Sequence, residues 1–242
     1  MNRRKKRLKQ MITGLFITLV ITISGGCSQQ LTDWLDGVTD SHSLTRDVAN
    51  VEEFPAFDGE NAVLSVNENR PTFTEEQLTI DQGTWQAFSN LDSLNRVGEA
   101  NALLHKNMMP TEERGDIQNV YPTGWHQKKI GDKWLYNRSH VIGHQLTGED
   151  DNWQNLFTGT EQMNQGAMVE YEKKVADYLR STDNHVRYRV TPTFYGEELV
   201  CRGVQMEAQS IEDDQLSFNI FIYNIEDGVS IDYATGQSTL QK

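Results

Sequence analysis

A change of period in mid-chain constrains this fold more than any other feature. Residues 136–146, Tyr136-Asn137-Arg138-Ser139-His140-Val141-Ile142-Gly143-His144-Gln145-Leu146, begin as a strand led in by Lys133-Trp134-Leu135. Residues 160–179 then repeat at helical spacing, with Met163, Ala167, Tyr171, Val175 and Tyr178 recurring on one side. Extended runs flank this centre. Ala62-Val63-Leu64-Ser65-Val66 precedes it, and residues 186–190, 199–209 and 216–223 follow it. Val186-Arg187-Tyr188-Arg189-Val190 alternates as a half-covered strand should, and 218–223 reads as buried. The pattern predicts an α+β domain with a central, mostly antiparallel sheet. Thr74, with Gln77 three residues on, reads as a capping box opening a short helix. Residues 95–104 fit a strand or a helix edge equally well. Residues 155–159 read as an irregular connection, and 148–152 as a solvated turn.

Charge divides the chain. Over its 242 residues the formal net charge is −13. Residues 1–26 hold six cations (Arg3, Arg4, Lys5, Lys6, Arg7, Lys9) and no acid, so the remainder carries 16 cations against 35 acids, a net −19. The basic start, the apolar run from Met11 to Ile23 and Ser24-Gly25-Gly26-Cys27 read as a signal peptide over 1–27. The run is too short for a span of about 20 residues. Small residues before Cys27 resemble a bacterial lipobox, with Ser24 where that pattern usually has Leu. A plain secretory signal and an uncleaved anchor are the other readings. Residues 28–57 are polar and acidic and read as a tether, which leaves 58–242 as the folded domain. The partner implied at this end is a membrane, through a lipid or signal anchor. The expected location is the outer face of the membrane, or secretion from the cell. The second cysteine, Cys201, sits in a strand-like run and reads as a buried small hydrophobe.

The central stretch carries the chemistry. On a strand, Arg138 and His140 point to the same face. On a helix, Asn164 and Glu172 fall within about a quarter turn of each other at ~100° per residue. An imidazole on one element and oxygen donors on the next suit hydrolysis of a phosphodiester. His140 would supply a base, worth ~10²–10⁴ in rate. A divalent ion would stabilise the developing charge. A neutral amide ligand such as Asn164 suits Mg²⁺, an ion that keeps its waters, with Mn²⁺ as a substitute. Glu172 would orient water on the ion, or else be an ordinary exposed partner for a Lys or Arg. Arg138 would hold the phosphate as a planar fork. Arg114, Lys128, Lys129 and Lys133 would help line a cationic groove. A zinc pair at His140 and His144 is disfavoured by Gly143 between them and by the lack of a third ligand at suitable spacing. A non-catalytic surface lipoprotein that binds DNA is the main alternative, opposed by the acidic balance, because affinity for a polyanion comes largely from neutralising phosphates.

Asn137-Arg138-Ser139-His140 resembles the Asp-Arg-Gly-His signature of the DNA/RNA non-specific endonucleases with a ββα-metal finger. The likeness is closest to the DNA-entry nucleases and secreted streptococcal DNases of Gram-positive bacteria. Met109-Pro110-Thr111-Glu112-Glu113-Arg114-Gly115, Thr123-Gly124-Trp125-His126, Asn155-Leu156-Phe157-Thr158-Gly159-Thr160 and residues 171–178 carry it further, over about residues 60–235. The resemblance implies a ββα-metal site, a Mg²⁺-dependent endonuclease acting on DNA and on RNA, and 5′-phosphate products. It makes His140 the general base, Asn164 the metal ligand and Glu172 its supporting carboxylate. Arg138 matches the signature arginine, and Asn155 resembles a further site asparagine, here a substrate-binding candidate. Asn137 for Asp and Ser139 for Gly are departures. No protein partner is implied.

Overall fold

The computed structural model describes residues 47–48 and 54–241. The expected signal peptide, Cys27 and most of the expected tether lie outside the described residues. Seven strands form the main sheet: β1 (Asp47–Val48), β2 (Val63–Val66), β3 (Trp85–Phe88), β4 (Ala100–Leu104), and, later in the chain, Val186–Thr193, Gly203–Ser210 and Ser217–Tyr223. Between β4 and this last group come β5 (Lys129–Ile130), β6 (Lys133–Trp134), β7 (Tyr136–His140) and β8 (Leu156–Thr160), so the three later strands are β9, β10 and β11. Across the sheet the order is β1-β2-β11-β10-β9-β4-β3. Every pairing is antiparallel except β1 with β2. The chain is thus α+β with a predominantly antiparallel central sheet, as its pattern predicts.

Period-two alternation gives each sheet face its own cover. Val63, Ala100, Ala102, Leu104, Val186, Tyr188, Val190, Val204, Met206, Ala208, Ile220 and Ile222 face a single large core. Leu64, Val66, Phe221 and Tyr223 point the other way, onto Phe54 and Phe57. Phe54 stacks on Phe221 with ring centroids 3.8 Å apart. With β1 at Asp47–Val48 paired to β2, the folded part therefore reaches back ahead of the expected domain start at 58. Further along that second face, Arg189 pairs with Glu207, and Arg187 lies under Phe73 and Trp85.

The large core is closed by a ββα unit. β7 and β8 pair antiparallel, His140 opposite Leu156 and Tyr136 opposite Thr160. Between them lies the short helix α1 (His144–Thr147), and after them a π-helical turn, Met163–Met168, runs into α2 (Val169–Ser181). Val141, Ile142, Leu146, Phe157, Met163, Met168, Tyr171, Val175, Ala176 and Leu179 bury themselves against the sheet. Residues 155–159, expected to be irregular, are mostly strand. Small Gly159 lies so close to Ser139 on β7 that a Cβ would stand 2.2 Å from Ser139 Oγ. The single helix expected over 160–179 is broken at Gly166, whose φ and ψ of −94° and −107° are not helical. The capping box at Thr74 and Gln77 forms, on the 3₁₀ turn Glu75–Leu78. Residues 100–104 settle as strand. Cys201 is a free, buried thiol, and burial pushes its pKa up to about 12.

Candidate active site

β7, α1, the π turn and the start of α2 converge on one open cavity of about 890 Å³. His140, Arg138, Arg114, Asn164 and Glu172 all line it. It is the same strand face that presents Arg138 and His140, as alternation requires.

His140 is buried and held at both ring nitrogens. Nε2 lies 2.9 Å from the Asp150 carbonyl, and Nδ1 lies 3.1 Å from Arg114 Nη2. A carbonyl only accepts and a guanidinium only donates. The proton is therefore assigned to Nε2, leaving the Nδ1 lone pair toward Arg114 and the cavity. Burial, and next the Arg114 charge, hold the His140 pKa down at about 4. The ring is neutral at any ordinary pH and can accept a proton. A zinc pair at His140 and His144 finds no third ligand: among the described residues no group of three or more His, Cys, Asp or Glu could hold a metal ion.

Asp150 is a hub that residue types alone do not reveal. Its carbonyl holds His140, its Oδ2 accepts the Gly115 N–H at 3.0 Å, and its Oδ1 lies 3.3 Å from His144 Nε2. One residue thus ties the loop carrying Arg114 to α1 and to the His140 ring. The solvated-turn reading of 148–152 is corrected accordingly: Glu149 also accepts from Gln86 at 2.7 Å.

Glu172 stands in the first turn of α2, buried, not exposed beside a surface cation. Gln145 Nε2 lies 3.2 Å from its Oε2, and the Gly143 N–H also bonds it. Burial pushes its pKa up to about 7. A Cβ at Gly143 would sit 2.4 Å from Glu172 Oε2, so only glycine lets α1 approach this carboxyl so closely. Asn164 lies half-buried on the π turn, which widens the helix where its amide meets the cavity.

Three expectations change. Asn155 does not reach substrate. It is fully buried, its Oδ1 accepting the Ile142 N–H at 2.8 Å and its Nδ2 donating to the Ile142 carbonyl at 3.1 Å. It fixes the turn after His140 instead. Arg138 is not a free fork: Nε donates to the Val120 carbonyl and Nη2 to the Gln118 carbonyl at 2.9 Å. It offers positive charge from a fixed place. Lys128 and Lys129 do not line the cavity. Lys128 Nζ bonds the Ser238 carbonyl at 3.2 Å, and Lys129 Nζ lies 5.1 Å from the centroid of Trp134, which does line it. Gly143, Gln145, Asp150, Tyr121, Trp125 and Trp134 are the site residues that sequence reasoning missed.

Among the described residues no group of three or more His, Cys, Asp or Glu could hold a metal ion. The donors that are present, the Asn164 amide and the Glu172 carboxyl, are hard oxygens. They fit a cation that keeps most of its water, as Mg²⁺ does, better than a tetrahedral N/S site.

A β-hairpin leading into a helix, with a base on the hairpin and oxygen donors on the helix, defines the ββα-metal nuclease class. Residues 78–212, more than half the chain, match the DNA/RNA non-specific endonucleases, and the chain belongs to that family. It is 32% identical over 107 residues to a deoxyribonuclease of Streptococcus dysgalactiae subsp. equisimilis, spanning 42% of this chain and about a third (32%) of that relative's length. The magnesium-bound structure of NucA from Streptococcus agalactiae superposes with a TM-score of 0.67 at 26% identity, over 74% of this chain and 89% of that one. The zinc-bound Sda1 nuclease gives 0.55 at 26% identity, over 63% and 80%.

Proposed function

We propose that this chain is a Mg²⁺-dependent endonuclease that hydrolyses DNA, and RNA as well, without sequence specificity. One observation carries the reading: a neutral imidazole, its proton fixed on Nε2, opens its lone pair into the cavity that Asn164 and Glu172 also line. With Arg114 turned from Nδ1 to the phosphate, His140 Nδ1 takes the proton from the attacking water. The Asp150 carbonyl keeps the ring in the needed tautomer and stabilises its protonated form. Arg114 and Arg138 bring positive charge to the phosphate. Asn164 would hold Mg²⁺, with Glu172 behind it; such an ion offsets charge building on the phosphate and the leaving oxygen. The leaving group is the 3′-oxygen, which gives 5′-phosphate ends.

The match to streptococcal nucleases supports a domain working outside a Gram-positive cell. Residues 1–27 direct export, Cys27 carries lipid, and the acidic stretch from 28 to about 46 holds the nuclease clear of the membrane. Intact mass of the membrane fraction tests the lipid directly. A plasmid-nicking assay tests the reaction: Mg²⁺ should support cleavage and EDTA stop it. His140→Ala should lose about 10²–10⁴-fold in rate and remain folded, and Asn164→Ala should lose the response to Mg²⁺. Full activity in either variant refutes the assignment. Retained DNA binding with no cleavage by the unmutated protein would favour the passive binder.

A further inference from the structure

The cavity has two unlike walls. The groups just assigned to chemistry make one. The other is aromatic: Tyr121, Trp125 and Trp134 all line it. Two of these rings are conspicuously wet. Tyr121 is 62% exposed and Trp134 53% exposed. Large apolar rings left in water beside a reaction centre lose the burial that would normally stabilise them. Neither ring is needed to close the core, which packs elsewhere.

The arrangement of charge around the rings is specific. The Arg138 guanidinium lies 4.4 Å from the Trp125 centroid and 5.1 Å from that of Tyr121. Its bonds to the Val120 and Gln118 carbonyls hold it there. The one guanidinium thus lies against both rings. Trp134 has Lys129 Nζ 5.1 Å from its own centroid. Each exposed face thus comes with a cation beside it. A flat π-face next to a positive charge is what one nucleotide presents in complement, a base stacked on the ring and its phosphate near the cation.

We propose that this wall is a base-stacking platform, and that the chain takes its substrate with bases unstacked: single-stranded stretches, frayed ends and loops. This rests on the nuclease reading above, whose site it extends. In a regular duplex the base faces are covered by their neighbours, so a duplex can use the cations but not the rings. At about 890 Å³ the cavity lies toward the upper end of the roughly 300–1,000 Å³ typical of ligand sites, room enough for a nucleotide.

Binding is read on the His140→Ala protein with Mg²⁺, so that hydrolysis does not interfere. Three probes share one length: a single-stranded oligodeoxynucleotide, its abasic counterpart with the same phosphates, and a hairpin duplex. The single strand should bind about 10-fold more tightly than the abasic strand and quench tryptophan emission. Adding Trp134→Ala or Tyr121→Ala should remove most of that advantage and leave abasic and duplex affinity within twofold. Both rings are exposed, so the thermal midpoint should not move, and a common loss from misfolding would be visible there. Equal affinity for the single strand and the abasic strand overturns the proposal, as does an equal loss on all three probes. Cleavage of the same single-stranded oligodeoxynucleotide by the unmutated protein with Mg²⁺ is scored separately. Its absence would sink the nuclease reading while leaving base-dependent binding on record, and cleavage without base-dependent binding would do the reverse.

Discussion

Replacing Glu172 by glutamine should make the metal-free protein more stable and a worse enzyme. The carboxyl is buried, and burial raises its pKa from an ordinary 4.5 to about 7. The folded state therefore keeps a proton that the unfolded chain releases between those values. The resulting stability is fully present below pH 4.5 and is lost as pH rises through 7. Above pH 7 the ionised group opposes folding by roughly 3 kcal/mol relative to its protonated form. A glutamine side chain there would never ionise, and its amide oxygen can still accept the Gly143 N–H. In EDTA at pH 8, Glu172→Gln should therefore raise the melting midpoint, by up to about 6–12 °C at the 2–4 °C per kcal/mol expected for a domain of this size. Near pH 4.5 the two proteins should melt together.

The assay is a thermal melt of both proteins from pH 4 to 8, without and with Mg²⁺. His140 titrates in the opposite sense. Its lowered pKa gives stability that is present above pH 6.5 and lost as pH falls through about 4, and this is common to both proteins. The difference between them isolates the carboxyl. Added Mg²⁺ should stabilise the wild type at pH 8 more than the variant, because binding to the folded state alone adds stability. A variant that melts lower at pH 8, or a difference that does not change with pH, refutes the account.

Three other perturbations separate the parts of the site. Arg114→Ala removes the charge that, after burial, most depresses the His140 pKa; His140 should titrate at higher pH by NMR and the acid limb of the pH–rate profile should move up with it. An unmoved titration would show that the guanidinium does not act on the ring. Asn155→Ala leaves the buried Ile142 peptide without two partners and should cost about 2–4 kcal/mol in denaturant unfolding. A loss under about 0.5 kcal/mol would refute the anchoring role. Gly143→Ala adds a Cβ 2.4–2.5 Å from the Glu172 carboxyl atoms and should cost about 1–3 kcal/mol while raising the Mg²⁺ concentration needed for activity. An unchanged Mg²⁺ requirement would separate Glu172 from the metal.

The fold was legible where a period was sustained. Residues 186–190 alternate because that strand has two differently covered faces, and β9 follows from it; β11 shows instead as a long apolar run, Phe218 and Ile220 to Tyr223. β8 was not legible. Leu156-Phe157-Thr158-Gly159-Thr160 is buried throughout, so no alternation survives to mark it as strand. The π turn left no signal either, because Met163, Ala167 and Tyr171 satisfy helical spacing whether or not the ladder slips at Gly166. In the site, that His140, Asn164 and Glu172 line one cavity follows from residue type and from the likeness of 137–140, while the burial of Glu172 does not. Asp150 does not, because it works through its backbone carbonyl as much as its side chain. Asn155 misled for a related reason: an amide is as fit to clamp a peptide as to meet a ligand, and only burial tells the two apart.

The acidity of the chain and a polyanionic substrate are reconciled at the cavity itself. A net −19 beyond residue 26 spreads over a whole surface, and charges more than about 8–10 Å apart are largely screened in physiological salt. What a phosphate meets at contact is local. The cavity wall holds two arginines, Arg114 and Arg138, and a single carboxyl, Glu172. That carboxyl is itself buried and loses its charge below about pH 7. Arg138 cannot swing away, because two backbone carbonyls hold it. The local sign is thus opposite to the global one, and it is set by side chains fixed before substrate arrives. Such a surface accepts a nucleic acid at contact, where the local sign decides. Held before substrate arrives, the Arg138 guanidinium needs no rearrangement to face a phosphate charge.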